Sequence, residues 1–114
     1  MRAAAALALA LATASSSTMA AACDQRGTRS FARKADLPRD AVAALGFAMA
    51  ERGAPFQVSD AIGPGPQLPF ARFISAQQRG CTLTIRYEQG GIAHLFRTAT
   101  LERRRNGWVL IPRR

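Results

Sequence analysis

The chain of 114 residues has one tryptophan, one tyrosine, one histidine and two cysteines, and only seven acidic residues against sixteen lysines and arginines. Each shortage excludes something. One histidine with Cys23 and Cys81 far apart in the sequence offers no zinc-ligand spacing, so no metal site is expected. Gly63-Pro64-Gly65-Pro66 lacks the lysine and the helix start of a phosphate loop. Too few aromatics are interleaved with the basic residues, and no recognition helix is visible, which argues against nucleic acid as the partner. No apolar run reaches the roughly 20 residues that span a bilayer. No catalytic motif and no cofactor motif is found.

What is present begins at the N-terminus. Met1-Arg2 is followed by an Ala/Leu run to Ala12, a Thr/Ser stretch and then small residues up to Ala22. A positive start, a short apolar centre and small residues before a cut form an export signal over residues 1–22. The expected location is therefore the periplasm or cell envelope, with the mature protein anchored or secreted. In an oxidising compartment Cys23 and Cys81 are a candidate disulfide. Ala20-Ala21-Ala22-Cys23 also resembles the lipidation box of bacterial lipoproteins in its last three positions, and departs from it at Ala20, where a large aliphatic residue is usual. That resemblance makes Cys23 a candidate lipidation site, the one route by which a membrane would be a partner, and an anchor would leave Cys81 unpaired.

The formal charge is +9, and Lys34 is the only lysine, so arginine carries nearly all of it. Such a charge favours an anionic envelope component or an acidic protein. A GC-rich coding bias toward Ala, Arg, Gly and Pro is the competing explanation.

Residues 23–35 are polar and without hydrophobic period, and read as a flexible tether ahead of one small domain over 36–114. Asp36-Leu37-Pro38 is a helix start. Ala41, Val42, Leu45, Ala48 and Met49 then recur at helical spacing up to Arg52, where Gly53 and Pro55 end the pattern. Beyond Pro55 the chain reads as strands: Phe56–Ser59, Phe70–Gln77, Cys81–Tyr87, Ile92 to about Arg103, and Trp108–Ile111. Short joins make the neighbours antiparallel. The expectation is an α+β fold, one N-terminal helix packed on a four- to five-stranded antiparallel meander. Helix first, then meander, resembles the cystatin-like and NTF2-like roll architectures in topology alone, and those architectures host enzymes, inhibitors and binding modules.

A register guess sorts the polar residues by face. With Glu88–Gly91 as a loop, Tyr87 pairs with Ile92, Ile85 with His94 and Leu83 with Phe96, placing them all under the helix. The opposite face then collects Arg86 and Arg97, and pairing across Asn106-Gly107 adds Arg103, Arg105 and Trp108. Guanidinium forks and an indole platform make these five a candidate patch for an anionic partner. Their solvated, stem-covering alternative is a plain polar sheet face. Asp60, Tyr87 and His94 are a candidate pocket between helix and sheet. Cys81 and His94 lie roughly 13 Å apart in that register, too far for a nucleophile and its base. The leading expectation is a non-enzymatic binding module. A pocket protein or enzyme of the roll type and a structural lipoprotein are the alternatives, and the oligomeric state stays open.

Overall fold

The computed structural model describes residues 23–61 and 63–112 of the chain. The export signal read over residues 1–22, and Arg113-Arg114, lie outside them. The described residues form a six-stranded sheet with little helix. Strand β1 is Thr28–Phe31, β2 Met49–Ala50, β3 Ala71–Arg79, β4 Thr82–Gln89, β5 Leu95–Arg104 and β6 Gly107–Ile111; the single α-helix, α1, is Arg39–Ala44. The sheet order is β1-β3-β4-β5-β6, antiparallel throughout, with two residues of β2 running parallel beside β3.

One face of this sheet is closed. Phe73, Leu83, Ile85 and Leu101 are wholly buried on it, and Leu37, Ala41, Leu45 and Met49 cover them from above. Each of the larger of these side chains, the leucines, Ile85, Met49 and Phe73, contributes about 1.5–3 kcal/mol by leaving water. A β-bulge between Phe73 and Ser75 keeps the pattern intact, because it lets Phe73 and Ala76, three residues apart, both face inward.

The helix is much shorter than its apolar period implies. Gly46 adopts φ +78, and its N–H donates back to the Ala43 carbonyl at 3.4 Å, so the chain turns out of the helix after Leu45. The apolar stripe still faces the core, but Met49 reaches it from an extended strand paired with Ala71. Residues 23–35 are likewise not a tether: Thr28–Phe31 pairs with Ala76–Arg79 and buries Phe31. A short strand need show no hydrophobic period when only its last side chain turns inward. Phe56–Ser59, expected as a strand, is an irregular segment with a single bridge from Ser59 to Gly91.

The β4–β5 register also differs from expectation. Tyr87 pairs with Arg97, Ile85 with Ala99 and Leu83 with Leu101. Glu88 and Gln89 belong to the strand, paired with Arg72 and Ala71 on one side and Phe96 and Leu95 on the other. The loop therefore starts two residues later, and Ile92 is almost fully exposed. Across the last turn Arg103 pairs with Trp108 and Arg104 with Gly107, one step from the expected hairpin.

Cys23 and Cys81 form a disulfide with Cα atoms 6.1 Å apart, joining the start of the described chain to the β3–β4 turn. The bridge spans a sequence separation of 58, for which chain entropy gives a stabilisation of about 4 kcal/mol. Replacing both cysteines by serine is expected to lower the thermal midpoint by on the order of 15–30 °C in a domain this small. A melt of the double variant that shifts by less than about 3 °C would show that the bridge carries little of the stability.

Candidate functional site

Among the described residues, no helix lies over the second face of the sheet. Alternation along β4 puts Thr82, Thr84 and Arg86 on that side, while Leu83 and Ile85 point into the core. The bulge in β3 places Ser75 opposite Arg86, and Gln77 and Arg79 follow on the same side, opposite Thr84 and Thr82. Ser30 of β1 lies beside Gln77. Arg52, just after β2, closes the row. Together they line a polar groove of about 880 Å³.

The charges in this groove are not balanced from within. Among the described residues, the arginine ion pairs are Arg33–Asp36, Arg72–Glu88, Arg103–Asp40 and Arg104–Glu102, and none involves Arg52, Arg79 or Arg86. Glu51 stands next to Arg52 in sequence, yet its carboxylate accepts the backbone N–H groups of Lys34 at 2.6 Å, Ala35 at 2.9 Å and Arg52 at 2.9 Å. Burial pushes its pKa up, but those three donors, with the Lys34 charge, outweigh it and hold the group below the ordinary value. Glu102, the cross-strand neighbour of Thr82, turns to Arg104 at 3.6 Å. Three exposed guanidiniums over neutral hydroxyl and amide side chains are what remains. Such a surface can hold carboxylate, phosphate or sulfate through charge-assisted hydrogen bonds.

A second constellation ends the same face. The Arg72 Nε donates to Glu88 Oε1 at 2.6 Å, and His94 Nε2 lies 2.9 Å from Oε2. The guanidinium of Arg72 also stacks on Phe56 at 4.2 Å and reaches the Ala54 carbonyl at 3.2 Å. The hydrogen bond from Arg72 lowers the Glu88 pKa, burial opposes it, and His94 adds to the lowering, so the carboxyl sits below its usual range. Gly90 shows how closely the 56–58 segment is docked: a Cβ there would stand 2.0 Å from the Gln57 carbonyl oxygen. Both oxygens of Glu88 are engaged in holding this segment, a structural duty.

The five residues expected to form one patch are divided. Arg86 is in the groove. Arg97, Arg103 and Trp108 fall on the helix side, because the register puts them in phase with Tyr87 and Leu101. Arg103 there binds Asp40 at 3.0 Å and lies 5.9 Å from the indole of Trp108. Arg105 is exposed in the last turn. The expected pocket is divided as well. Tyr87 packs on the closed face against Phe47 at 5.2 Å, His94 is on the open side with Glu88, and Asp60 is exposed in a loop. Cys81 is in the disulfide. Arg52 and Arg79 were absent from the sequence-based patch; Arg79, immediately before the Gly80 hairpin turn, carried the signal that would have placed it.

Comparison with known proteins finds no matching family model, no matching curated protein and no matching solved structure.

The folded state binds the Glu88 carboxylate more tightly than its proton, so the unfolded chain protonates first as pH falls. Stability from this clamp is fully present above the ordinary glutamate value of about 4.3 and is lost as pH drops through the lower folded value. Glu51 adds in the same direction. Glu88→Gln is expected to melt lower at neutral pH and to lose stability less steeply between about pH 5 and pH 2. Melting curves across that range with the same slope in both proteins would remove the clamp as a source of acid sensitivity.

Proposed function

We propose that this protein is a small exported, non-enzymatic binding module of the cell envelope whose anionic partner sits on the open face of the sheet. The observation that carries this reading is the groove of Arg52, Arg79 and Arg86, with which no carboxylate among the described residues pairs. An anionic ligand would supply the counter-charge that these guanidiniums lack. Export is supported by the leader over residues 1–22 and by the disulfide, which is consistent with an oxidising compartment. The sulfur of Cys23 in that bridge is the atom a lipid thioether would need, which favours the bridge over the anchor. Our reading keeps the likeness to cystatin-like and NTF2-like rolls at the level of helix-then-meander order. Their ligand space between helix and sheet is filled here by Leu37, Ala41, Leu45 and Met49.

One observation favours the small-molecule alternative. Phe47, Leu68, Phe70 and Tyr87 surround an apolar cleft of about 490 Å³ at the margin of the closed face, with Gln89 as a polar wall. It would take an apolar group and offers no charged partner.

The two readings separate in a charge-reversal experiment on the anion. Arg79→Glu with Arg86→Glu changes net charge as much as Arg39→Glu with Arg105→Glu, which lie outside the groove. The groove pair is expected to weaken binding to immobilised heparin at least tenfold more than the control pair, and to flatten its salt dependence. Equal loss from both pairs would reduce the effect to overall charge and remove the groove. Intact mass of the protein from its native host is expected to show a cut before Cys23, no acyl chain, and two fewer hydrogens than the dithiol form. An acylated Cys23 would establish the lipoprotein instead.

A further inference from the structure

We infer that the ligand of this groove is an anionic carbohydrate, a sugar chain carrying carboxylate or phosphate groups; this rests on the anion-binding reading above. Three features of the groove narrow the class of anion. The first is length. Arg79 lies opposite Thr82 and Arg86 opposite Ser75, so the two guanidinium-bearing positions are four residues apart along β4, about 13 Å at strand rise. An extended ligand with separated charges matches that spacing of the strand positions.

The second feature is the floor between the arginines. Ser75, Gln77, Thr82 and Thr84 alternate along two adjacent strands, with Ser30 on the third. Arginine only donates hydrogen bonds, but hydroxyls and the glutamine amide both donate and accept. A ligand that presents only acceptors uses half of that capacity. A polyhydroxylated chain, whose own hydroxyls donate and accept, uses all of it.

The third feature is what the groove omits. Its one aromatic lining residue, Phe31, is 3% exposed; the exposed Phe96, paired with Glu88, stands on the same face beside Arg86 but is not part of the lining. A protein partner requires an apolar centre in its interface, and single-stranded nucleic acid requires rings on which bases stack. The lining offers neither. A neutral sugar would want an aromatic platform too. Without one, the affinity must come from charge, which selects acidic sugars.

The test uses the full mature chain with its disulfide and four probes at one ionic strength: oligogalacturonate, a phosphorylated mannan oligosaccharide, poly-L-glutamate of matched charge, and neutral dextran. At least one acidic sugar should bind at least tenfold more tightly than polyglutamate, and dextran should not bind. The two sugar arms distinguish carboxylate from phosphate. Thr82→Val with Thr84→Val removes two hydroxyls and keeps strand-favouring side chains. It should weaken acidic-sugar binding about tenfold and polyglutamate binding less than twofold. Should that variant fail to fold, judged by its melting curve, Ser75→Ala provides the same contrast at about threefold.

Unchanged sugar binding in the hydroxyl variants, polyglutamate binding as tightly as either sugar, or neither sugar binding while polyglutamate does would each overturn the carbohydrate assignment and leave anion binding standing. If Arg79→Gln with Arg86→Gln alters no probe, the anion reading fails first and the assignment falls with it.

Discussion

Glu88 occupies a position where a carboxylate is hard to place. Its side chain is 12% exposed, and a buried charge without partners would destabilise the fold by several kcal/mol. Arg72 from β3 and His94 from the β4–β5 connection satisfy one oxygen each. Meeting both requires β4 to continue through Gln89 and the chain to return with His94 over the open side. That return sets Leu83 against Leu101 and Ile85 against Ala99. Since a slip of one residue would exchange the faces of every side chain on the strand, the same clamp determines which arginines face solvent and which face the helix.

The helix above the closed face has six residues, too few to cover a sheet of this width. Other parts complete the cover: Leu37 before the helix, Leu45 and Met49 after it, and Trp108 at the far strand, anchored through Arg103 to Asp40. With so little material, only one face of the sheet can be dry. The other must be acceptable to water, and the hydroxyls, amides and arginines of β3 and β4 make it so. The disulfide compensates for the small core by restraining the unfolded chain. The open face is thus a consequence of size, and what distinguishes it is which polar residues stand there.

How much of this the sequence disclosed depended on whether the decisive signal was local. The strands at Cys81–Tyr87 and Trp108–Ile111 and the turn at Gly80 were legible, because alternation and glycine are local signals; the pairing of Cys23 with Cys81 was one of two readings, beside lipidation of Cys23. The helix was overextended because Gly46 interrupts a period that Met49 happens to continue, and periodicity does not register a change from helix to strand that keeps the same residue in the core. The short β1 had no alternation to reveal it; its pairing with β3 is a tertiary fact. The patch was misassembled for one reason. Glu88 and Gln89, polar residues beside Gly90-Gly91, look like a turn, and only the partners Arg72 and His94, sixteen and six residues away, keep them in the strand. Arg86 was placed correctly, as its face depends on β4 alone, while Arg97 and Arg103 inherited the error of register.

The basic composition by itself decides little, since a coding bias would enrich arginine everywhere. The acids are more telling. Of the seven, Asp36, Asp40 and Glu102 pair with Arg33, Arg103 and Arg104, Glu88 holds Arg72 and His94, and Glu51 caps three backbone N–H groups. Asp24 and Asp60 are exposed in irregular segments and do not line the groove. Bias can supply the arginines, but it does not explain why, among the described residues, no carboxylate lines the groove or pairs with Arg52, Arg79 or Arg86. Stable surfaces generally mix charges of both signs, and outside the groove this face does so too, with Glu88 and Glu102 on it. Within the groove, guanidiniums stand over neutral hydroxyls and amides without a carboxylate in the lining, and this is the ground on which an anionic partner is proposed.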